Sequence, residues 1–180
     1  MGPRDVTFPR QHRESEDYIQ SSGVGYTFLR PNGFMQNMVI YNAASVRGQN
    51  AFYGSAGDGK VSQVDLRDIG AVAVRVLTED GHTGKTYTLT GPAALSNSEI
   101  AAILSSVLGR EIRYVNLPPD QMKQALLGAG VPEWNANGII DLEALYREGG
   151  ASTVSSDIEH VLGRKSIAYE QFARDYASTF

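Results

Sequence analysis

Cysteine is missing from the chain altogether, which removes disulfides, thiolate nucleophiles and cysteine-based metal sites at once. Histidine is scarce: His12, His82 and His160 are the only three. No two of them stand at metal-ligand spacing, so no metal is expected. Long apolar runs are lacking too. No stretch approaches the ~20 residues that span a bilayer, and Met1 to Arg10 has no apolar core of the signal-peptide kind. Positive charge is the minority sign, 16 Lys and Arg against 20 Asp and Glu, for a net charge of -4. Nucleic-acid and acidic-membrane surfaces need clustered Lys and Arg, so neither partner is expected. The default is a soluble cytoplasmic protein.

What is present suits a packed α/β chain. With 180 residues, 42% of them hydrophobic, it can bury the core of one domain or of one domain plus a small lobe. Residues 1–9 carry two prolines and no period, and read as a loop or frayed arm. From Arg10 to Ser22, residues His12, Glu16 and Ile19 share a side at helical spacing, and Gly23 supplies the stop. Val24 to Leu29 is a β-rich run without polar alternation, as expected of a strand covered on both faces. A helix follows from Phe34 to about Val46. Phe52-Tyr53 and Val61 to Val64 read as short strands around the turn Gly54 to Gly59.

The next unit is the clearest. Asp65 and Asp68 suit the start of a helix dipole, and Ile69, Val72, Ala73, Val76 and Leu77 then recur at helical spacing. Thr86 to Thr90 reads as a strand. Ser96 and Glu99 form a capping box before Ile100, Ile103, Leu104, Val107 and Leu108, with Gly109 as the stop. Ile112 to Val115 is a strand. Pro118-Pro119 opens a helix through Leu127, and further helices are expected at Glu133 to Tyr146, at 157–162 capped by Ser156-Asp157, and at Tyr169 to Tyr176. Strands alternating with helices mean α/β layers with some parallel pairing.

Several short motifs, in order, carry a resemblance. They are His12-Arg13-Glu14-Ser15-Glu16, Ser22-Gly23, Tyr26-Thr27-Phe28-Leu29-Arg30-Pro31, Phe34-Met35 and Asn37. Further on come Gly54-Ser55-Ala56-Gly57-Asp58-Gly59-Lys60, Arg67-Asp68, Gly81-His82, Gly84-Lys85, Tyr87 to Gly91, Leu108-Gly109-Arg110, Asn116-Leu117 and Leu162-Gly163. As an ordered set from about residue 10 onward, they resemble the NmrA-like group of atypical short-chain dehydrogenases/reductases, and within it the type 2 NAD(P)H:quinone oxidoreductases. The resemblance implies the C-terminal part of an NAD(P)-binding Rossmann-like fold, with a small α+β substrate lobe. Residues 10–34 and 61–92 would form the Rossmann-derived part, and 35–60 with 93–180 the lobe and C-terminal helices.

The same resemblance implies a site. Pro31, Asn32, Gly33 and Phe34 would line the nicotinamide pocket, with Gly33 allowing close approach and Phe34 an apolar wall. The bland alternative is an ordinary strand-to-helix turn. Many short-chain reductases carry a Tyr and a Lys one helical turn apart; here those positions are His12 and Glu16. His12 would polarise or protonate a quinone oxygen and Glu16 orient the ring, unless the two are only an exposed helical pair worth a few tenths of a kcal/mol. Met35, Met38, Tyr41 and Trp134 would line a flat aromatic-substrate cavity, or be plain core. The cofactor would be NADP or NAD, without flavin.

The family begins with a strand, a glycine-rich turn and a helix that together hold the pyrophosphate, and this sequence contains no such unit. Its one glycine cluster, Gly54 to Gly59, lies between strands and reads as a turn or lobe loop. Two expectations follow. The first is an oxidoreductase moving hydride to a quinone-like acceptor; the second is a non-catalytic remnant, redox sensor or binding module with little cofactor affinity. In either case the strand at 24–29 would have an open edge. Self-association there, or a separately encoded N-terminal half, would cover it.

Overall fold

The computed structural model describes residues 6–180. Its first element, α1 (Thr7–Ser21), begins earlier than the composition of residues 1–9 suggests; Met1 to Asp5 lie outside the described residues. Pro9 falls in the first turn, where backbone N–H groups have no intrahelical partner to lose. Contacts from far along the chain fix this start. Phe8 meets Trp134 edge-on at 5.5 Å, and Thr7 Oγ1 donates to Asp141 Oδ2 at 2.8 Å. No residue of α1 is fully buried.

The Rossmann-derived part is built on one parallel strand pair. Strand β1 (Phe28–Pro31) comes later than the apolar run implies: Val24 is exposed, and Arg30 and Pro31 face solvent. Coverage on both faces is therefore not what the structure shows. The chain then forms a π-helical turn (Met38–Asn42) and α2 (Ala43–Gln49), so the expected helix exists but is wound unevenly. Strands β2 (Ala51–Gly54) and β3 (Lys60–Val61) flank the glycine cluster. Helix α3 (Leu66–Thr78) is capped by Asp65, whose side chain accepts from the Arg67 N–H. It leads to β4 (Thr86–Leu89), which pairs in parallel with β1, Phe28 opposite Thr86 and Pro31 opposite Leu89.

The rest completes a second layer. Strand β5 (Leu95–Ser96) pairs antiparallel with β3. Helix α4 (Asn97–Leu108) carries the full capping box between Ser96 and Glu99, and β6 (Arg113–Asn116) pairs in parallel with β2. Helices α5 (Pro119–Gly128), α6 (Glu133–Arg147), α7 (Asp157–Leu162) and α8 (Tyr169–Asp175) follow. One core joins Met35, Met38, Val46 and Phe52 to Ile100, Leu104 and Phe172. A smaller one gathers Val64, Val72, Leu89 and Ile158.

That smaller core joins residues far apart in the sequence. Ile158, Val161 and Leu162 of α7 pack with α3 and β4. The cap of α7 differs from the expected one: Ser156 makes no side-chain cap bond, and Ser155 Oγ accepts from the Asp157 N–H at 3.1 Å. Asp157 in turn accepts from the Thr88 N–H at 2.6 Å, which closes the outer edge of β4.

Candidate active site

The turn after β1 is pinned by its own asparagine. Asn32 Nδ2 donates to Ser62 Oγ and to the Ala151 carbonyl, both at 2.8 Å, and its Oδ1 accepts from the Gly33 N–H at 2.8 Å. The backbone continues the tie: Asn32 N–H donates to Leu89 O, Val64 N–H to Gly33 O and Met35 N–H to Val64 O, at 2.9, 2.9 and 3.0 Å. Both amide hydrogens of Asn32 are thus spent inside the protein. Asn32 builds the turn, and the face it presents is backbone, with Phe34 at its rim and Pro31 in the strand leading in. At Gly33 an added Cβ would meet the Tyr146 hydroxyl and Val61 Cγ1, both at 3.5 Å, and Gln63 Cγ at 3.7 Å.

A cavity of about 130 Å³ opens over this turn, lined by Gly33, Phe34, Met38 and Phe52 from below and by Glu143 and Tyr146 of α6 from above. Space of this order takes a single ring. Its upper wall is set by the glycine cluster. Ser55 donates to Glu143 Oε2 from its N–H at 2.6 Å and from its hydroxyl, and Arg147 donates to the Ser55 carbonyl. Gly59 passes so close beneath α6 that a Cβ there would overlap the Tyr146 carbonyl and come within 2.7 Å of the Arg147 nitrogen. The cluster is therefore a seat for α6. Burial, reinforced by the charge of Glu143, pushes the Tyr146 phenol well above its ordinary value, so it holds its proton.

Of the residues assigned to a substrate cavity, the structure brings two to cavities. Met38 lines the one over Gly33. Met35, almost wholly buried, faces a second, apolar cavity of about 200 Å³ with Leu95, Ile100 and Tyr169, on the other side of Val61 and Gln63. Tyr41 is exposed and Trp134 half-exposed; Trp134 serves the packing of α1 on α6 through Phe8. Glu143, Tyr146 and Asn97, which do line the ring-sized cavity, were missed because they lie 60 and more residues from the turn. Their one trace in the sequence is the Glu143, Tyr146, Arg147 spacing on a single helix face.

The His12 and Glu16 pair is separated by its partners. Glu16 accepts from Arg30 of β1 through both oxygens, Nε at 2.9 and 3.2 Å and Nη2 at 2.5 Å. The Arg30 guanidinium holds its carboxyl below the usual carboxylate range. Glu16 thus ties α1 to the strand that leads into the turn. His12, one helical turn earlier, is exposed.

Behind the turn sits a buried acidic cluster that anchors α3. Asp65, without solvent exposure, accepts from Gln36 Nε2 at 2.9 Å and from Arg67 Nε and Nη2 at 3.0 and 2.7 Å. Burial alone would push its carboxyl up; Arg67 and Gln36 together outweigh it and hold the group low. Arg67 reaches on to Asp175 at 2.6 Å. Asp68 accepts from the Ile167 N–H at 2.7 Å, while Arg164 Nη1 stands 2.7 Å from its Oδ1 as a charge contact without hydrogen-bond alignment. Among the described residues no group of three or more His, Cys, Asp or Glu is placed to hold a metal ion, and no helix is long and apolar enough to cross a membrane.

A parallel strand pair, its crossover helix and a pinned glycine turn at the strand's carboxyl end define a Rossmann-like α/β fold. The chain belongs to the NmrA-like family, whose profile matches residues 6–174. It is 42% identical to an NAD(P)H azoreductase of Xenophilus azovorans over 167 residues, which are 93% of this chain and 58% of that protein. Its structure superposes on the NADPH-dependent quinone oxidoreductase of Escherichia coli complexed with NADPH with a TM-score of 0.87. Identity there is 28%, over 96% of this chain and 60% of the other. A triphenylmethane reductase of Citrobacter sp. complexed with NADP(H) gives a TM-score of 0.82 and 27% identity, over 97% of this chain and 62% of the other. The chain thus spans about three fifths of the length of these relatives.

Proposed function

We propose that this chain forms the nicotinamide-facing and acceptor-binding part of an NAD(P)H-dependent oxidoreductase that passes hydride to a quinone-like or other small ring acceptor. The observation that carries the reading is the bare Gly33 turn opening onto a ring-sized cavity, in a fold shared with reductases complexed with NADPH or NADP(H). The cavity takes one ring, which this reading gives to the acceptor; the nicotinamide end of a dinucleotide would reach the same turn from outside it, past Pro31 and the partly exposed Phe34. Pro31, the Asn32–Gly33 backbone and Phe34 would hold it. A reduced nicotinamide supplies the hydride, so the reading needs neither flavin nor metal. Among the described residues no strand–glycine turn–helix offers a pyrophosphate cradle; the glycine cluster is occupied by α6. Cofactor affinity in this chain is therefore expected to be weak.

The chain's own residues supply the rest. Glu16 positions α1 against the turn through Arg30, which keeps His12 at a fixed place on the helix as the candidate acid for an acceptor oxygen. Met38 and Phe34 give the acceptor ring its apolar contact. The cytoplasm, where reduced nicotinamide dinucleotides are available, is the compartment this reading assigns. The test is quinone-dependent oxidation of NADPH or NADH by the full chain. Acceleration over the uncatalysed rate is expected; binding of cofactor and quinone with no turnover would favour a binding module or redox sensor.

We also propose that the open edge of β1 takes a partner strand, from a second copy or from an N-terminal Rossmann half. Phe28 and Asn32 donate toward β4, so the alternating Leu29 and Pro31 face the other edge. Pro31 has no N–H to give, which blunts the edge without closing it.

A further inference from the structure

We propose that Tyr146 is the hydrogen-bond donor that holds an uncharged carbonyl or quinone oxygen of a ring-sized acceptor in the cavity over Gly33. The assignment rests on the reductase reading for its reaction, but on the geometry of α6 for its content. The Tyr146 hydroxyl lies 3.5 Å from where a Cβ on Gly33 would stand, so it meets the turn inside the cavity that the acceptor is proposed to fill. It is half-buried, and among the described residues it has no hydrogen-bond partner. A half-buried phenol with a free donor at the wall of a cavity is set to bond whatever enters.

The surroundings say what that occupant is. Among the described residues Glu143 is the only charged one lining the cavity, and its carboxylate is fixed by Ser55. A fixed negative charge disfavours anionic ligands. It also disfavours loss of the phenolic proton, so Tyr146 donates a hydrogen bond and keeps its proton; the proton that completes reduction comes from elsewhere, His12 or water. Phe34, Met38 and Phe52 supply apolar contact for the body of a ring. Gly59, pressed against the backbone of Tyr146 and Arg147, fixes the height of the hydroxyl above the turn.

The test is a binding titration without cofactor, read by ligand-observed NMR on the full chain and on Tyr146→Phe. The two probes are 1,4-benzoquinone and p-xylene, which has methyl groups where the quinone has oxygens. The absence of cysteine leaves no thiol for the quinone to modify. Tyr146→Phe is expected to weaken quinone binding by about tenfold and to leave p-xylene binding and the melting temperature unchanged. In wild-type protein labelled with ¹³C at the tyrosine ζ carbon, one ring signal should move with quinone and not with xylene. Equal quinone affinity in the two proteins would overturn the assignment, as would an equal loss for both probes, which marks a packing role. No quinone binding to folded wild-type protein would overturn it as well. Cofactor-dependent turnover is a separate measurement, so the reductase reading can stand or fall independently.

Discussion

Asp65 is the residue on which the frame behind the site depends most. It caps α3, accepts from two of the three Arg67 guanidinium nitrogens and from the Gln36 amide nitrogen, all while buried. Asp65→Ala removes the cap and leaves the buried Gln36 Nε2 donor without its partner, a loss of about 2–4 kcal/mol. The pH dependence has a definite sign. Because the folded-state value is depressed, the stabilisation is fully present above the ordinary carboxylate value of about 4 and disappears as pH falls through the lower, folded value. Thermal melts from pH 7 downward should show the wild type losing its advantage over Asp65→Ala only below about pH 4. Two curves that stay parallel into acid would contradict the assignment. Arg67 also lies 6.0 Å from the Tyr176 ring, so the same residue draws α8 onto α3.

Among the elements, α6 makes the site, and glycines decide where it lies. Gly59→Ala would drive a methyl group into the backbone of Tyr146 and Arg147; backbone cannot yield as a side chain does, and overpacking of this kind costs about 1–3 kcal/mol. Gly70→Ala, inside α3 with nothing within 4 Å, should instead stabilise by up to about 1 kcal/mol. Opposite shifts in melting temperature are the expected result, at about 2–4 °C per kcal/mol for a chain of this size. Gly138 shows why such positions are hard to read in advance: it weakens the helical pattern of α6, yet a Cβ there would lie 2.5 Å from the Phe8 ring, so it is the notch that lets α1 dock. Elements whose signals are local were legible, such as the capping box of α4 and the apolar face of α3. The early start of α1, the shifted β1 and the side of the molecule α7 joins were not, because contacts from far along the chain set them. The Asn32–Gly33 turn was legible as a motif; its roof, Glu143 and Tyr146, was not, since only folding brings residue 146 over residue 33.

Considered as a whole molecule, the chain has one edge closed and one open. Asp157 covers β4 by accepting from Thr88, whereas β1 has no strand on its far side among the described residues. Tyr18, Ile19 and Val24, which precede that edge, are exposed. Light scattering coupled to size-exclusion chromatography should therefore find self-association that rises with concentration, or capture of a supplied N-terminal Rossmann half. A monodisperse, heat-stable monomer indifferent to that half would contradict the proposal.

The central claim, that a nicotinamide and a ring acceptor meet at the Asn32–Gly33 turn, is tested most directly by quinone-dependent oxidation of NADPH by the full chain, followed by loss of reduced-nicotinamide absorbance. The account predicts a rate above the uncatalysed one that keeps rising with NADPH through the micromolar range and falls when Tyr146→Phe replaces the wild type. Folded protein that binds quinone yet leaves the rate of NADPH oxidation unchanged at every cofactor concentration would contradict it.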